Sequence, residues 1–233
     1  MIIHGFQKMT LLDYPGRVAC TLFTAACNFR CPFCHNAGLV TDISPAERID
    51  EEEIFSYLKK RQGILDGVCI TGGEPTLQHD LPDFIRHIRA LGYSVKLDTN
   101  GSAPDLLAAL IDEGLVDYVA MDIKNTPEKY ALTVGLAGFD LSPVQKSIDL
   151  LLEGRVEFEF RTTVVAEYHT PEDVGAIAKW ISPAEKYFLQ PFVDSGHLIG
   201  SPDGLLHAPD ETTLQKMLAN ARKAIPSSVL RGA

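Results

Sequence analysis

Apolar positions along this chain alternate between a two-residue and a 3.6-residue period, and each change of period marks a new element. Residues 17–24 form an apolar, strand-like run. Asp50 then opens a helix. Glu53 stands three residues on as an acidic form of the capping box, Ile54, Phe55 and Leu58 share one face, and Gly63 ends it. Residues 68–71 read as a short buried strand. Leu81, Phe84, Ile85 and Ile88 follow at i, i+3, i+4 and i+7, the spacing of an amphipathic helix. A strand over 94–99, a helix over 106–111 and a strand over 118–122 continue the alternation. Ser142-Pro143-Val144-Gln145 predicts a helix start, with serine as N-cap, proline at N1 and glutamine at N3, and Gly154 stops that helix. Residues 157–165 alternate as a fifth strand, Thr170-Pro171 opens a helix through Ile181, and 186–191 make a sixth strand. A last amphipathic helix over 210–224 carries Leu214, Met217, Leu218 and Ala221 on its apolar side.

Six strands separated by helices imply parallel βα units with right-handed crossovers. The predicted class is α/β, an incomplete (β/α)6 barrel of parallel strands with helices outside. Chemistry then belongs at the C-terminal ends of the strands. Residues 1–192 would make this domain, and 193–233 a tail with one helix packed on it. No internal repeat, low-complexity tract or Gly/Ser linker marks another boundary.

At 233 residues, with 45% hydrophobic and 22% charged positions, the chain can bury one sizeable core. A formal net charge of −10 argues against the clustered basic surface of a nucleic-acid binder. The one basic triplet, Lys59-Lys60-Arg61, closes a helix, where cations suit the dipole. No apolar run approaches the roughly 20 residues that cross a bilayer. Met1-Ile2-Ile3-His4-Gly5 has no basic flank followed by a long apolar region, so no signal peptide is read there. A cytoplasmic protein with no nucleic-acid or membrane partner is expected. Five cysteines with three in one cluster are no disulfide framework. Cys20 and Cys69 lie in apolar runs and are expected to be buried packing residues.

The three clustered cysteines change the picture. Cys27, Cys31 and Cys34 stand at C-x3-C-x2-C directly after the first strand. Thiolates this close in a loop converge on one centre, and soft sulfur selects zinc, copper or an iron–sulfur cluster. A structural zinc site needs four ligands, and His35 would be the fourth. An ordinary iron–sulfur cluster also takes four cysteines, so three leave one iron of a [4Fe-4S] cluster open to substrate. Cys31-x-x-Cys34 by itself would suit a dithiol oxidoreductase.

The other polar outliers fall at strand ends. Thr71-Gly72-Gly73-Glu74-Pro75 follows the second strand, Asp98-Thr99-Asn100-Gly101 ends the third, Met121-Asp122-Ile123-Lys124 ends the fourth, and Arg161 lies in the fifth. Paired glycines let the backbone approach a ligand closely. The Lys-Ser/Thr of a phosphate-binding P-loop is missing.

With these segments in view, the chain resembles the radical S-adenosylmethionine (SAM) activating enzymes of glycyl radical enzymes. It is most similar to the anaerobic ribonucleoside-triphosphate reductase activating proteins, relatives of pyruvate formate-lyase activating enzyme. The resemblance runs from about Gly5 to Phe192. It rests on Leu12-Asp13-Tyr14-Pro15-Gly16, on the run from Cys27 to Asn36, and on residues 70–75, 96–101, 119–124 and 161–163.

The resemblance implies a [4Fe-4S] cluster on Cys27, Cys31 and Cys34 as the catalytic centre, with SAM chelated to the fourth iron. It implies that Gly72, Gly73 and Glu74 receive the methionine amino group, and that Phe33 lies near the adenine. Lys124 and Arg161 would face the SAM carboxylate or ribose. Asp98, Thr99, Met121 and Asp122 match positions that cradle a monovalent cation beside the SAM carboxylate in the relative. Where that relative has a histidine in a Pro-Tyr-His run, this chain reads Leu189-Gln190-Pro191-Phe192, and Gln190 cannot titrate.

The implied activity is reductive cleavage of SAM, then removal of a hydrogen from one glycine Cα of a partner. The implied partner is a glycyl radical enzyme, above all the anaerobic ribonucleotide reductase, and the implied electron donor is of flavodoxin or ferredoxin type. Two other readings stand beside it: a radical SAM enzyme acting on a small metabolite, as a deazapurine-forming synthase does, and a zinc-binding module that is no enzyme. Residues 12–16 and Cys34-His35-Asn36 favour the activase.

Overall fold

The computed structural model describes residues 1–44, 47–200 and 206–232. Its frame is one eight-stranded sheet with the strands in sequence order. β1 (Ile3–Thr10) runs antiparallel to β2 (Ala19–Thr24). Every later neighbour is parallel: β3 (Gly67–Gly72), β4 (Ser94–Thr99), β5 (Tyr118–Asp122), β6 (Glu157–Val164), β7 (Tyr187–Pro191) and β8 (Val229–Leu230). Helices fill the crossovers. α1 (Gly38–Thr41) and α2 (Glu51–Lys60) join β2 to β3, α3 (Leu81–Ala90) joins β3 to β4, and α4 (Pro104–Asp112) joins β4 to β5. α5 (Tyr130–Thr133) and α6 (Ser142–Leu152) lead to β6, α7 (Pro171–Trp180) to β7, and α8 (Glu211–Arg222) to β8. β1 and β8 are the two edges, so the partial barrel is open between them.

The six predicted strands are β2 to β7, and two strands are additions. β1 is an edge with two breaks in its pairing register, and it exposes Gln7, Lys8 and Met9 in succession, so no clean two-residue period survives in it. β8 has two residues, too few to carry any period. Helix starts are partly as expected. Thr170 caps α7 with a reciprocal box: its hydroxyl accepts from Asp173 N at 3.2 Å, and the Asp173 carboxylate accepts from Thr170 N at 2.8 Å. Asp210 caps α8 by accepting from Thr213 N at 2.7 Å. Asp50 precedes α2 without a side-chain cap, and Glu51, Glu52 and Glu53 meet the positive helix end instead. Ser142 is the first residue of α6 rather than its cap, because its N and Oγ both donate to Asp140, at 2.9 and 2.8 Å.

Register decides which side chains face the interior of the partial barrel. Thr21, Cys69, Lys96 and Tyr118 are lateral neighbours across β2 to β5; Asp98, Ala120 and Glu159 form the next row, and Asp122 pairs with Arg161. Successive side chains on a strand point to opposite faces, so these polar groups share the inner face. The residues between them, such as Ile70, Leu97, Val119 and Phe160, are fully buried in one core with Leu81, Phe84 and Ile85 of α3. Cys20 joins that core as expected, whereas Cys69, equally buried, lies with its Sγ 3.8 Å from both Lys96 Nζ and Asp98 Oδ1.

The end of the chain closes one polar row. Arg231 forks onto Glu159, whose carboxylate is wholly buried, at 2.7 and 2.9 Å, and Tyr118 Oη adds a bond of 2.8 Å. Removing one partner of a buried pair strands the other charge. Arg231→Ala is therefore expected to cost about 3 kcal/mol, lowering the melting midpoint by about 6–12 °C in a calorimetric scan. α8 packs on α7, where Asn220 Nδ2 donates to Pro171 O at 2.8 Å. Among the described residues no helix is long and apolar enough to cross a membrane.

Candidate active site

β2 carries the chain to the C-terminal mouth of the partial barrel, where the backbone turns sharply. Ala26 has φ 71°, the one non-glycine residue with positive φ among those described. That conformation costs about 1–2 kcal/mol and is held from both sides. Ala26 N donates to Leu39 O, and Ala26 O accepts from Glu74 N, each at 2.8 Å. Cys27, Cys31 and Cys34 follow on the loop, and with Phe33 they border a cavity of about 510 Å³. Arg30 N donates to Val134 O at 2.9 Å, and a Cβ on Gly135 would lie 2.3 Å from Arg30 O, so the segment after α5 clamps the loop. Burial pushes all three thiols up, Cys31 to about 12. Burial thus favours the protonated thiol, and binding a metal would release those protons.

The paired glycines border the cavity and also make a contact within the protein. A Cβ on Gly72 would lie 2.4 Å from Thr24 N, and one on Gly73 only 1.9 Å from Ala26 O. Their missing side chains admit the protein's own cysteine loop. Asn36 Nδ2 holds the Gly72 carbonyl at 3.1 Å. Glu74 is also engaged by the protein: Oε1 accepts from Thr76 N at 3.1 Å, Thr76 Oγ1 at 2.6 Å and Thr99 Oγ1 at 2.7 Å, and Oε2 from Asn100 N at 2.7 Å. Burial pushes its carboxyl up, with these bonds acting against that. Only Oε2 keeps an open lone pair for a ligand ammonium.

Alternating charges run along the opposite wall. Lys96 Nζ pairs with Asp98 Oδ1, Arg161 Nη1 with Asp98 Oδ2 at 3.0 Å, Arg161 Nε with Asp122 Oδ1 at 2.9 Å, and Lys124 Nζ with Asp122 Oδ2 at 3.0 Å. Burial alone would raise both carboxyls. Arg161 and Lys96 hold Asp98 below its usual range instead, and Arg161 and Lys124 bring Asp122 down to about 2. Lys124 and Arg161 are raised, since burial, which would lower them, is outweighed by these carboxylates.

Every residue expected at the site borders the cavity except Met121, which lies fully buried in the core beneath Gly101. His35 and Gln190 border the cavity too. Four further contributors carry no role from the resemblance. Lys96 is hidden in an apolar strand, Asn100 Nδ2 approaches Cys27 Sγ at 3.9 Å, and Asn36 pins Gly72. His169, held neutral by burial, bonds Lys124 O at 2.8 Å and packs on Phe33 at 6.2 Å between ring centres. Lys96 did leave a signal: it stands two residues before Asp98, hence on the same strand face.

Residues 21–181 match the family model of the Radical SAM superfamily. The chain belongs to the radical SAM superfamily. Its cofactors are accordingly a [4Fe-4S] cluster and SAM. Over its length it is 32% identical to a protein of Methanocaldococcus jannaschii named "Putative glycyl-radical enzyme activating enzyme", covering 99% of this chain and 95% of that one. It is 30% identical over 181 residues to a 7-carboxy-7-deazaguanine synthase of Hyperthermus butylicus, covering 76% and 70%. Streptococcus suis SuiB bound to S-adenosylmethionine shares the fold with a TM-score of 0.68 at 13% identity, across 90% of this chain and 49% of SuiB.

The donors present fit a radical SAM cluster. Three thiols and no other cysteine border the cavity, so a [4Fe-4S] cluster held there would have one iron without a cysteine ligand. Phe29 N donates to Cys27 Sγ at 3.3 Å, a bond that favours the thiolate a metal needs. Among the described residues no three His, Cys, Asp or Glu side chains are arranged to hold a single metal ion, the zinc set with His35 included.

Proposed function

We propose that this radical SAM enzyme generates a glycyl radical on a partner protein, the anaerobic ribonucleoside-triphosphate reductase. The observation that supports the activase class is the similarity, over 99% of this chain, to the Methanocaldococcus protein named "Putative glycyl-radical enzyme activating enzyme". The choice of the reductase as partner rests on the sequence resemblance, residues 12–16 included. That segment places Asp13 on the cavity wall, its carboxylate accepting from Thr21 Oγ1 at 2.5 Å. Beside it Met9, Leu11 and Leu12 are 60%, 68% and 88% exposed, an apolar lip at the open edge of the sheet that suits an entering protein loop. A flavodoxin- or ferredoxin-type donor and a cytoplasmic location belong to the same reading.

Cys27, Cys31 and Cys34 would hold the cluster, which when bound supplies the electron that splits SAM into methionine and a 5′-deoxyadenosyl radical. The chain's own groups position the substrate. Glu74 Oε2 and the Gly72–Gly73 backbone would take the methionine ammonium, Lys124 and Arg161 its carboxylate or ribose, and Phe33 the adenine edge. Asp98, Thr99 and Asp122 would act from behind by fixing Arg161, Lys124 and Glu74 in place. The radical would then take one hydrogen atom from a glycine Cα, leaving 5′-deoxyadenosine and a radical on the partner.

The test is anaerobic. Protein reconstituted with iron and sulfide, then reduced, is incubated with SAM and the reductase; a glycyl radical EPR signal on the reductase, matched by 5′-deoxyadenosine, is the expected result. The 30% identity to a 7-carboxy-7-deazaguanine synthase makes action on a small metabolite, with a deazapurine as product, the alternative reading. Formation of a 7-carboxy-7-deazaguanine product without a glycyl radical would replace the activase assignment.

A further inference from the structure

The four residues that the resemblance offers to a monovalent cation do not fit one here. Each carboxylate oxygen already carries a cationic partner: Lys96 on Asp98 Oδ1, Arg161 on Asp98 Oδ2 and Asp122 Oδ1, and Lys124 on Asp122 Oδ2. Thr99 Oγ1 donates to Glu74 and accepts from Gly101 N at 3.1 Å, and the Met121 side chain lies in the core, which leaves only its main-chain carbonyl to offer an ion. Lys96 is the unusual member. Its side chain is 2% exposed, and it reaches Asp98 from inside the partial barrel without itself bordering the cavity. Its other neighbour, Cys69 Sγ, is 3.8 Å away and adds no charge while protonated, burial pushing that thiol up.

Charge balance decides what this arrangement can accept. Within the network itself Lys96, Arg161 and Lys124 oppose Asp98 and Asp122, an excess of one positive charge, while Glu74 and Asp13 border the cavity outside it. One ligand carboxylate neutralises that excess, whereas an added metal cation would raise it in a poorly solvated place. We propose that the Lys96 ammonium is this enzyme's built-in replacement for a monovalent cation, holding Asp98 and through it Arg161 in position for the carboxylate end of SAM. Lys96 is a positioning residue. The SAM half of the proposal rests on the functional reading above; the cation half concerns the protein alone.

The experiment compares potassium chloride with choline chloride at equal ionic strength, for wild type and Lys96→Gln. Choline is too large to enter a cation site. Melting of the protein before reconstitution reads the cation half, and SAM affinity after reconstitution, by equilibrium dialysis, reads the rest. Wild type is expected to show the same melting midpoint and SAM affinity in both salts. Lys96→Gln, with a carboxylate left short of charge, should melt about 3 °C or more higher in potassium. Its SAM affinity should fall about tenfold in choline and recover in potassium.

Wild-type SAM affinity that needs potassium would overturn the proposal, as would a folded Lys96→Gln indifferent to potassium. Should Lys96→Gln fold in neither salt, Lys96→Ala takes its place, with more room for an ion, and failure of that variant in potassium also overturns the proposal. A potassium-responsive melt without SAM binding would instead place the fault in the functional reading.

Discussion

Gly73→Ala is expected to lower 5′-deoxyadenosine formation about 100-fold or more, approaching the loss in Cys31→Ala. The cysteine variant loses a metal ligand; the glycine variant fails through geometry. A methyl at position 73 meets Ala26 O at 1.9 Å and Ala26 C at 2.7 Å, both backbone atoms with no rotamer to escape by. Restoring ordinary contact requires the end of β3 and the cysteine loop to part by about 1.5 Å. Ala26 cannot yield cheaply. It already sits at φ 71°, and its N and O are bonded to Leu39 O and Glu74 N. The next residue is Cys27, so the displacement passes directly to a cluster ligand. Misplacement of about 1 Å commonly costs about 100-fold in rate, and less iron and sulfide should be retained per chain after reconstitution. Gly38→Ala is the control: nothing lies within 4 Å of its added Cβ, it sits in α1, and activity should be unchanged. Wild-type iron content and product in Gly73→Ala would show that the contact with Ala26 does not position Cys27.

The sequence made the parallel βα order legible because β2 to β5 are buried almost throughout and so read as near-continuous apolar runs, broken only where they reach the mouth. The cysteines and strand-end polar residues stood out for the same reason: polar groups in an apolar run need a purpose. What was not legible depended on partners far along the chain. Gly73 looks like a ligand loop until Ala26 is brought against it, 47 residues away in sequence. Glu159 looks like an outward residue of an alternating strand, and only Arg231 and Tyr118 reveal it as buried. Lys96 shares a face with Asp98 on any strand, yet which face looks inward was set by pairing with Cys69 and Tyr118. Burial of β1 follows no period because its pairing with β2 slips twice. Local pattern therefore located the mouth, while the polar network beneath it came from register.

Removal of the central cation in that network is the second large effect. Arg161→Met is expected to lower stability by about 3–5 kcal/mol near neutral pH, or roughly 10 °C in melting midpoint, and to weaken SAM binding together with it. Arg161 is 13% exposed and bridges Asp98 and Asp122, which would then face one another with only Lys96 and Lys124 to hold them. The sign of the pH dependence separates charge from packing. In the wild type burial pushes Asp122 up, but Arg161 and Lys124 more than offset it and bring it to about 2. Its contribution is thus complete above its ordinary value of 3.8 and disappears as pH falls toward 2. Without Arg161, burial and the facing carboxylate should raise one carboxyl above its unfolded value, so the folded variant takes up a proton and gains stability as pH falls. The gap between variant and wild type should therefore narrow between about pH 7 and about pH 5, measured by urea unfolding at each pH. A gap that stays constant would mean that the side chain acts through packing. Arg161→Lys supplies the remaining contrast: one ammonium cannot fork across two carboxylates, so it should recover the charge balance but only one of the two contacts, and fall between the other proteins.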